Sequence, residues 1–578
     1  MADKYLIQFL VDHTSPEVFF DIVDRGLTPH LTKYVLGEKS ENGTYKNASI
    51  SRHLVTGYPS TSANSHTSLL TGCWAGKNDM LHTQYWDFRE KTPQFTNVEE
   101  MSLSALRAMN KDRIYPECKT LFEHTEKSAS FHAINRGADI KLLKLSSILF
   151  RFLPLLWKIK RKSHTDQSPI NSPEFWKTFF NKNIMKFLKK IKNPNDFPQA
   201  TFIVFLLSDG NAHQYGFDSK EYEESIELLD YFIKCLVEGI DDKKENHIPG
   251  LKELGLYDNI IWNICTDHAG RLIDPSKYVF IDSITNKRLK LNLIENENED
   301  KEDYVESLKG DLSTIDVFSV TSSEQWHCWF GGPEGKHSKD FRRFYGKSFF
   351  REYTRKNGDG TSLDLIEYFL KKKYSQFVII PSEDVNREID ENNSRERMKD
   401  PIPRKYLINI LSKKGSAIIR RKFQNNKMYY SYEITMGNDP LNYEKISLES
   451  NQFHSKQKWL EATVEHQFPD TFHRLFGFFD CIHAPNFVIT SAYDYRFLNV
   501  NQILNKKEKA IQNIQSHGGI YGVESIVPVT FAGPGIKEDY EIEYGRNVDI
   551  LPTLLDALGV EFEKNLMDGK VLEDILER

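Results

Sequence analysis

Cysteine is sparse and scattered. The six thiols, Cys73, Cys118, Cys235, Cys265, Cys328 and Cys481, form no CxxC pair and keep no regular spacing over 578 residues. That excludes a disulfide framework or a zinc finger and leaves buried free thiols as the expectation. Long apolar runs are also missing. The N-terminal segment MADKYLIQFLVDH has a short apolar core followed directly by an Asp, which fits neither a signal peptide nor a membrane-spanning helix. The cytoplasm is therefore the expected compartment. Neither sign of charge dominates, with 76 Lys and Arg against 82 Asp and Glu and a formal net charge of −6. Such a chain has no global attraction for nucleic acid, and sequence-specific binding to it is not expected. Any anion must be held by local chemistry. No internal repeat is evident.

What is present describes a globular protein, 39% hydrophobic and 27% charged, with an aromatic share of 12% that predicts many packed Phe and Tyr. Its length suits one large α/β domain with elaborations, or two to four ordinary domains. Short continuous apolar runs read as buried strands. YLIQFLV at 5–11 ends at Asp12, TFIVFLLS at 201–208 at Asp209, and NIIWNICT at 259–266 at Asp267. FVITSA at 487–492 and VPVTFAG at 527–533 complete the set, and helical patterns at 219–240 and 548–559 alternate with them. This alternation predicts an α/β core with a mainly parallel sheet, whose ligands would gather at the carboxyl ends of the strands. Residues 1–270 and 481–578 are expected to form the core. Residues 271–480 are expected to be an inserted α+β cap, with charged tracts and a β-like stretch, GSAIIRRKFQNNKMYYSYEI. A basic, apolar excursion at 137–200 contains KLLKLSSILFRFLPLLWKIKRK at 141–162. It reads as a core or lid helix with snorkelling cations, with peripheral membrane contact as the alternative.

The chemistry-bearing residues follow the strands. In LLSDGNAHQYG, Asp209 and His213 sit where a carboxylate oxygen and an imidazole nitrogen can converge on one cation from a loop and a first helical turn. Read alone, Asp209 could equally be a helix N-cap. CTDHAG then supplies adjacent Asp267 and His268, Asp12 ends the first strand, and SHGGIYG sets His517 among glycines that allow close backbone approach. The segment LVTGYPSTSANSHTSLLTG at 54–72 offers hydroxyls with Thr61 and Ser62 at its centre, and these need an activator to act as nucleophiles.

The ordered set of Asp, hydroxyl loop ending in TG, D-x-x-x-H, DH, and HG before a VP-apolar-GPG strand resembles the alkaline phosphatase superfamily. Its type I phosphodiesterase and nucleotide pyrophosphatase branch is the nearest match. The loop is similar to that branch's nucleophile segment, and aligning Thr71 and Gly72 on its TG implies Ser62 as the nucleophile, with Thr61 and Ser60 as fallbacks. SHGGIYGVESIVPVTFAGPGI, VDILPTLLDALGV and MDGKVL resemble the C-terminal part of the family. YYSYEITMGNDPLNY and EHQFPDTFHRLFG resemble segments of bacterial and archaeal members of the superfamily.

The resemblance implies a three-layer core and two divalent metals, zinc or alternatively manganese. Asp12, Asp267, His268 and Ser62 would hold one, and Asp209, His213 and His517 the other. It implies hydrolysis of a phosphate-ester small molecule or nucleotide through a seryl-phosphate-type intermediate. Thr83 stands where the branch carries a phosphoryl-binding Asn, so it is a candidate substrate contact and leaves diester against monoester preference open. His66 is expected to hydrogen-bond within the loop, His13 to lie behind the site or at the surface, and Lys77, Arg136 and Arg546 are unranked candidates for phosphate contact. A sulfatase is disfavoured, because no C/S-x-P-x-R segment occupies the loop. A phosphomonoesterase, phosphotransferase or mutase of the superfamily is the alternative. Of another class is a pseudoenzyme that keeps its metals and binds a membrane or partner.

Overall fold

The computed structural model describes residues 4–87, 92–95, 114–115, 117–142, 173–241, 247–281, 283–294, 315–332, 345–355, 360–383, 406–449, 451–498 and 514–577. Two nine-stranded sheets organise them. Across the first, the order is Tyr540–Glu541, Ala48–Val55, Ile526–Ala532, Ile260–Cys265, Tyr5–Val11, Ala200–Phe205, Ser128–Phe131 and Ile140–Lys141, with Gly545–Arg546 also on Ala48–Val55. Tyr5–Val11 runs parallel to Ala200–Phe205 on one side and to Ile260–Cys265 on the other. Ile526–Ala532 is antiparallel to both its neighbours, so the sheet is mixed but mainly parallel.

The three central strands are buried along their whole length, as expected where helices cover both faces of a parallel sheet. Successive side chains point to opposite faces. Ile7, Phe9 and Val11 pack with helices Pro16–Asp24, Pro173–Leu188 and Lys220–Glu238. Leu6 and Leu10 pack with helices Ser62–Thr71 and Ile550–Leu558. The core is therefore three-layered, and each such Leu, Ile or Phe contributes about 1.5–3 kcal/mol by leaving water.

The second sheet is almost wholly antiparallel, in the order Leu293–Ile294, Val317–Ser322, Gln325–Phe330, Phe487–Ser491, Ser375–Glu383, Tyr406–Leu411, Gly415–Gln424, Lys427–Gly437 and His454–Ser455. One face, with Phe318, Val320 and Trp329, packs on helix Thr471–Phe479 and on Tyr58, Leu81 and Tyr521 from the loops of the first unit. The second sheet thus lies over the loop edge of the first. Arg271 ties the two units, donating to Glu524 and to Glu324, and buried Arg474 donates to Gly57 O at 3.1 Å and Ser525 Oγ at 2.6 Å.

Two local expectations change. Phe487–Ser491, expected beside the core strands, pairs instead with Gln325–Phe330 and Ser375–Glu383 in the second sheet. A short apolar run bounded by turns reads alike in either sheet. The strand before Asp209 stops at Phe205, so Asp209 and His213 both lie on one helix, Leu207–Tyr215. The β-like stretch from residue 415 onward folds as a hairpin of Gly415–Gln424 and Lys427–Gly437. The basic apolar stretch at 141–162 lies outside the described residues from residue 143 onward. No helix among the described residues is long and apolar enough to cross a membrane.

Candidate active site and metal centre

The site follows from strand order. Ile260–Cys265, Tyr5–Val11 and Ala200–Phe205 are adjacent and parallel, so their carboxyl ends lie side by side. Asp267, Asp12 and Asp209 follow those ends and are all buried. Asp209 and His213, four apart on their helix, share one face, with His213 Nε2 3.2 Å from Asp209 Oδ1.

His517 arrives from far along the chain. Gln515–Ser516 pairs with Arg271–Leu272, three residues past His268, and this short ladder brings His517 against His268 with ring centroids 3.6 Å apart. His517 Nε2 lies 3.1 Å from His213 Nε2 and 3.9 Å from Asp209 Oδ1. The glycine after it is required, since Gly518 has φ +103° and a Cβ there would sit 2.5 Å from Ser322 O.

On the deeper side, His268 Nε2 lies 3.2 Å from Asp267 Oδ2 and 3.5 Å from Asp12 Oδ1. Ser62 opens helix Ser62–Thr71, and its Oγ lies 3.2 Å from the same His268 nitrogen. The neighbouring hydroxyls differ. Ser60 Oγ donates to Gly519 O at 3.2 Å and accepts from Gly518 N–H at 3.2 Å, while Thr61 Oγ1 is buried without a partner. Thr61 is the N-cap residue but makes no side-chain cap, which leaves first-turn N–H groups to face an anion at the helix start.

Three groups of buried ligand atoms lie close enough to share a cation: His13 with Asp209, His213 and His517; Asp12 with His66 and Asp267; and Asp12 with Asp209 and His268. The structure therefore brings together all seven residues expected at the metals. It also adds His13, expected behind the site or at the surface, and His66, expected to hydrogen-bond within the loop. His13 is wholly buried, which removes the surface alternative, and its Nδ1 lies 2.9 Å from Asp209 Oδ1. Its backbone has φ +60°, an uncommon left-handed conformation for a residue other than glycine. Gly270 makes room for the ring, because a Cβ there would meet His13 Nε2 at 2.1 Å. His66 Nε2 lies 3.1 Å from Asp267 Oδ2 and 3.3 Å from Asp12 Oδ2. Its Nδ1 lies 2.9 Å from His132 Nε2, so its contacts reach beyond the expected loop to two carboxylates and a second histidine. His132 escaped the sequence reading. It too follows a strand, Ser128–Phe131, and that strand-then-polar pattern was its one signal.

The electrostatics suit a cation. Burial pushes the Asp267 carboxyl up, but the charge of His268 and the hydrogen bond from His66 outweigh it and hold the group at about 2. Burial likewise raises Asp209, and His213 and His13 bring it well below the usual carboxylate range. His517 is pushed well down by burial and by His268, which keeps a neutral nitrogen lone pair available. Burial lowers His268 as well, whereas at His213 burial is outweighed by the Asp209 carboxylate, which raises the imidazole. Ionised carboxylates and imidazoles, buried together, form a donor set suited to zinc or manganese.

The remaining candidates make other contacts among the described residues. Thr83 Oγ1 lies 3.2 Å from His82 Nδ1. Lys77 pairs with Asp568 at 3.2 Å, Arg136 with Glu123 at 2.8 Å, and Arg546 with Asp470 at 2.6 Å, so all three basic candidates serve the framework.

Residues 6–248 match the family described as type I phosphodiesterase/nucleotide pyrophosphatase. No curated protein matches the sequence. Among solved structures, murine ectonucleotide pyrophosphatase/phosphodiesterase 5, in an inactive form in complex with AMP, is similar at 11% identity and a TM-score of 0.50, with all of both chains covered. A second structure of that murine protein gives 11% identity and 0.49, covering 99% of this chain and 100% of its own. At that identity the first likeness supports the fold alone. The matched residues carry Asp12, the Ser62 loop, Asp209 and His213, so the stretch similar to the type I phosphodiesterase/nucleotide pyrophosphatase family contains much of the candidate site.

Proposed function

We propose that the protein is a two-metal phosphoric ester hydrolase of the phosphodiesterase and nucleotide pyrophosphatase type, with Ser62 as its nucleophile. The observation that carries this reading is the position of Ser62 Oγ, at a helix start and 3.2 Å from His268 within the buried Asp and His cluster. Asp12, Asp267 and His268 with Ser62 would hold one divalent ion, and Asp209, His213 and His517 the other, zinc by donor type and manganese as the alternative. When bound, the pair would polarise the phosphoryl group, lower the pKa of the Ser62 hydroxyl and stabilise the leaving oxygen.

The chain's own residues do the rest. Ser62 Oγ bonds to phosphorus in line with the leaving oxygen, the P–O bond breaks with its electron pair going to that oxygen, and the Ser62 proton passes to solvent water. The uncapped first turn of Ser62–Thr71 presents backbone N–H groups to the non-bridging oxygens. His13 and His66 fix the carboxylates of Asp209, Asp12 and Asp267. Water then cleaves the phosphoryl–Ser62 bond and restores the hydroxyl. An AMP complex of the murine relative makes a nucleotide ester the first substrate class to try. The six cysteines, all free and buried, suit a reducing compartment such as the cytoplasm.

Turnover of bis(4-nitrophenyl) phosphate against 4-nitrophenyl phosphate, alongside metal analysis, tests the reading. Two transition metals per chain and faster diester turnover are expected. Faster monoester turnover would move the assignment to the phosphomonoesterase alternative. A chain without bound metal and without activity on either ester would favour the pseudoenzyme.

A further inference from the structure

Helix Ser62–Thr71 has a second end. Ten residues rising 1.5 Å each carry the chain about 14 Å from Ser62, to Gly72 and Trp74, and Trp74 forms one wall of a cavity of about 870 Å³. Hairpin Gly415–Gln424/Lys427–Gly437, helices Lys456–Thr463 and Thr471–Phe479, and the C-terminal segment from Lys564 to Lys570 close the other sides. A volume of this size fits a drug-sized ligand. None of the residues at the Ser62 centre lines it.

Two features of the lining point to one class of ligand. Seven lysines and arginines face two carboxylates, in a chain whose net charge is −6. Both carboxylates are already engaged. Asp480 accepts from Arg421 Nη1 at 2.6 Å and Nη2 at 2.9 Å, and Asp568 pairs with Lys77 and accepts from Trp74 N–H at 2.8 Å. Among the described residues, Lys427, Lys458 and Lys570 have no carboxylate within ion-pair distance, so the cavity keeps a net positive field. Its floor is aromatic. Trp74 Nε1 donates to His473 Nε2 at 3.2 Å, His473 Nδ1 lies 2.8 Å from the Tyr430 hydroxyl, and Phe476 stacks on Tyr430 with centroids 5.5 Å apart.

The buried groups register the same field. Burial and the neighbouring Arg546 push the Lys456 ammonium down to about 8, and its Nζ donates to Asp568 O at 3.0 Å. His473 is pushed well down by burial and then by Arg546 and Lys456. A bound anion would relieve both. Cations select phosphate oxygens, and aromatic faces select a planar ring.

We propose that this cavity is a second ligand site, separate from the Ser62 centre, that takes a small phosphorylated planar ring of the nucleoside monophosphate class. The site needs no turnover, so its test is independent of the hydrolase reading. The full chain is incubated with pyridoxal 5′-phosphate, a phosphorylated ring with an aldehyde. The amine of Lys456 adds to the aldehyde carbon, water leaves, and borohydride delivers hydride to the imine carbon to give a stable secondary amine that peptide mass mapping locates. Labelling should saturate at Lys456 before exposed lysines such as Lys220 react. Uridine 5′-monophosphate should protect it about tenfold better than uridine or inorganic phosphate. Lys427→Glu with Lys458→Glu, two exposed changes, should cut labelling at least about fivefold with an unchanged melting curve. Labelling spread evenly over surface lysines, equal protection by uridine or by bare phosphate, or indifference to the charge reversal would each overturn the proposal.

Discussion

The two sheets of this molecule divide its work. In the first, three parallel neighbours lead to Asp267, Asp12 and Asp209 just past their carboxyl ends, and their common direction sets three acids on one edge. In the second, neighbouring strands alternate in direction, so no edge collects strand ends of one kind, and its side chains instead build two apolar clusters. Chemistry gathers where strands agree in direction, and the antiparallel sheet covers that edge.

Metal removal should break the comparison most strongly. Exhaustive chelation is expected to lower turnover at least about 10³-fold, with zinc or manganese restoring it and the second sheet left folded by circular dichroism. Full activity after verified metal loss would remove the proposed role of the first sheet's edge.

At the seam, Arg271 links Glu524 of the first unit to Glu324 of the second. Replacing it with Met leaves two buried carboxyls without their cation and should cost about 3–5 kcal/mol in denaturant unfolding. Glu524, already pushed up to about 7 by burial, should then stay protonated to higher pH. A loss under about 1 kcal/mol would mean that the seam is held by apolar packing alone.

Acid should weaken the same seam. His82, packed against His327 of the second sheet, is pushed down to about 4 by burial, and His327 is well below its ordinary value for the same reason. The unfolded chain takes up these protons near pH 6.5 and the folded chain only near pH 4. Stability is therefore full above about pH 6.5 and falls as pH drops toward 4, with His82 alone accounting for about 3 kcal/mol. His82→Phe should flatten that slope, and an unchanged slope would place the acid sensitivity elsewhere.

The smallest effect concerns the residue behind the acids. His66→Phe removes the contacts to Asp12, Asp267 and His132 and should weaken metal binding about 10–100-fold. Competition with a chromophoric chelator reads this directly, and unchanged affinity would show that the carboxylates hold themselves.

The same contrast explains what could be read in the sequence. Buried parallel strands appear as continuous apolar runs, and an acid closing each run marks the ligand edge, so Asp12, Asp209 and Asp267 stood out. Phe487–Ser491 looks the same but belongs to the other sheet, because a run records burial and not its neighbours. His66 and His132 were obscure for a related reason. Their contacts join residues 66 apart in the chain, and no local spacing encodes them. The basic, aromatic cavity draws on segments near residues 74, 421, 456, 473 and 568, each unremarkable alone.

The most direct measurement compares Ser62→Ala with the wild type at equal metal content, on bis(4-nitrophenyl) phosphate. A loss of about 10⁴-fold or more with both metals retained is the predicted result. Activity within about tenfold of wild type would contradict the assignment of Ser62 as the nucleophile.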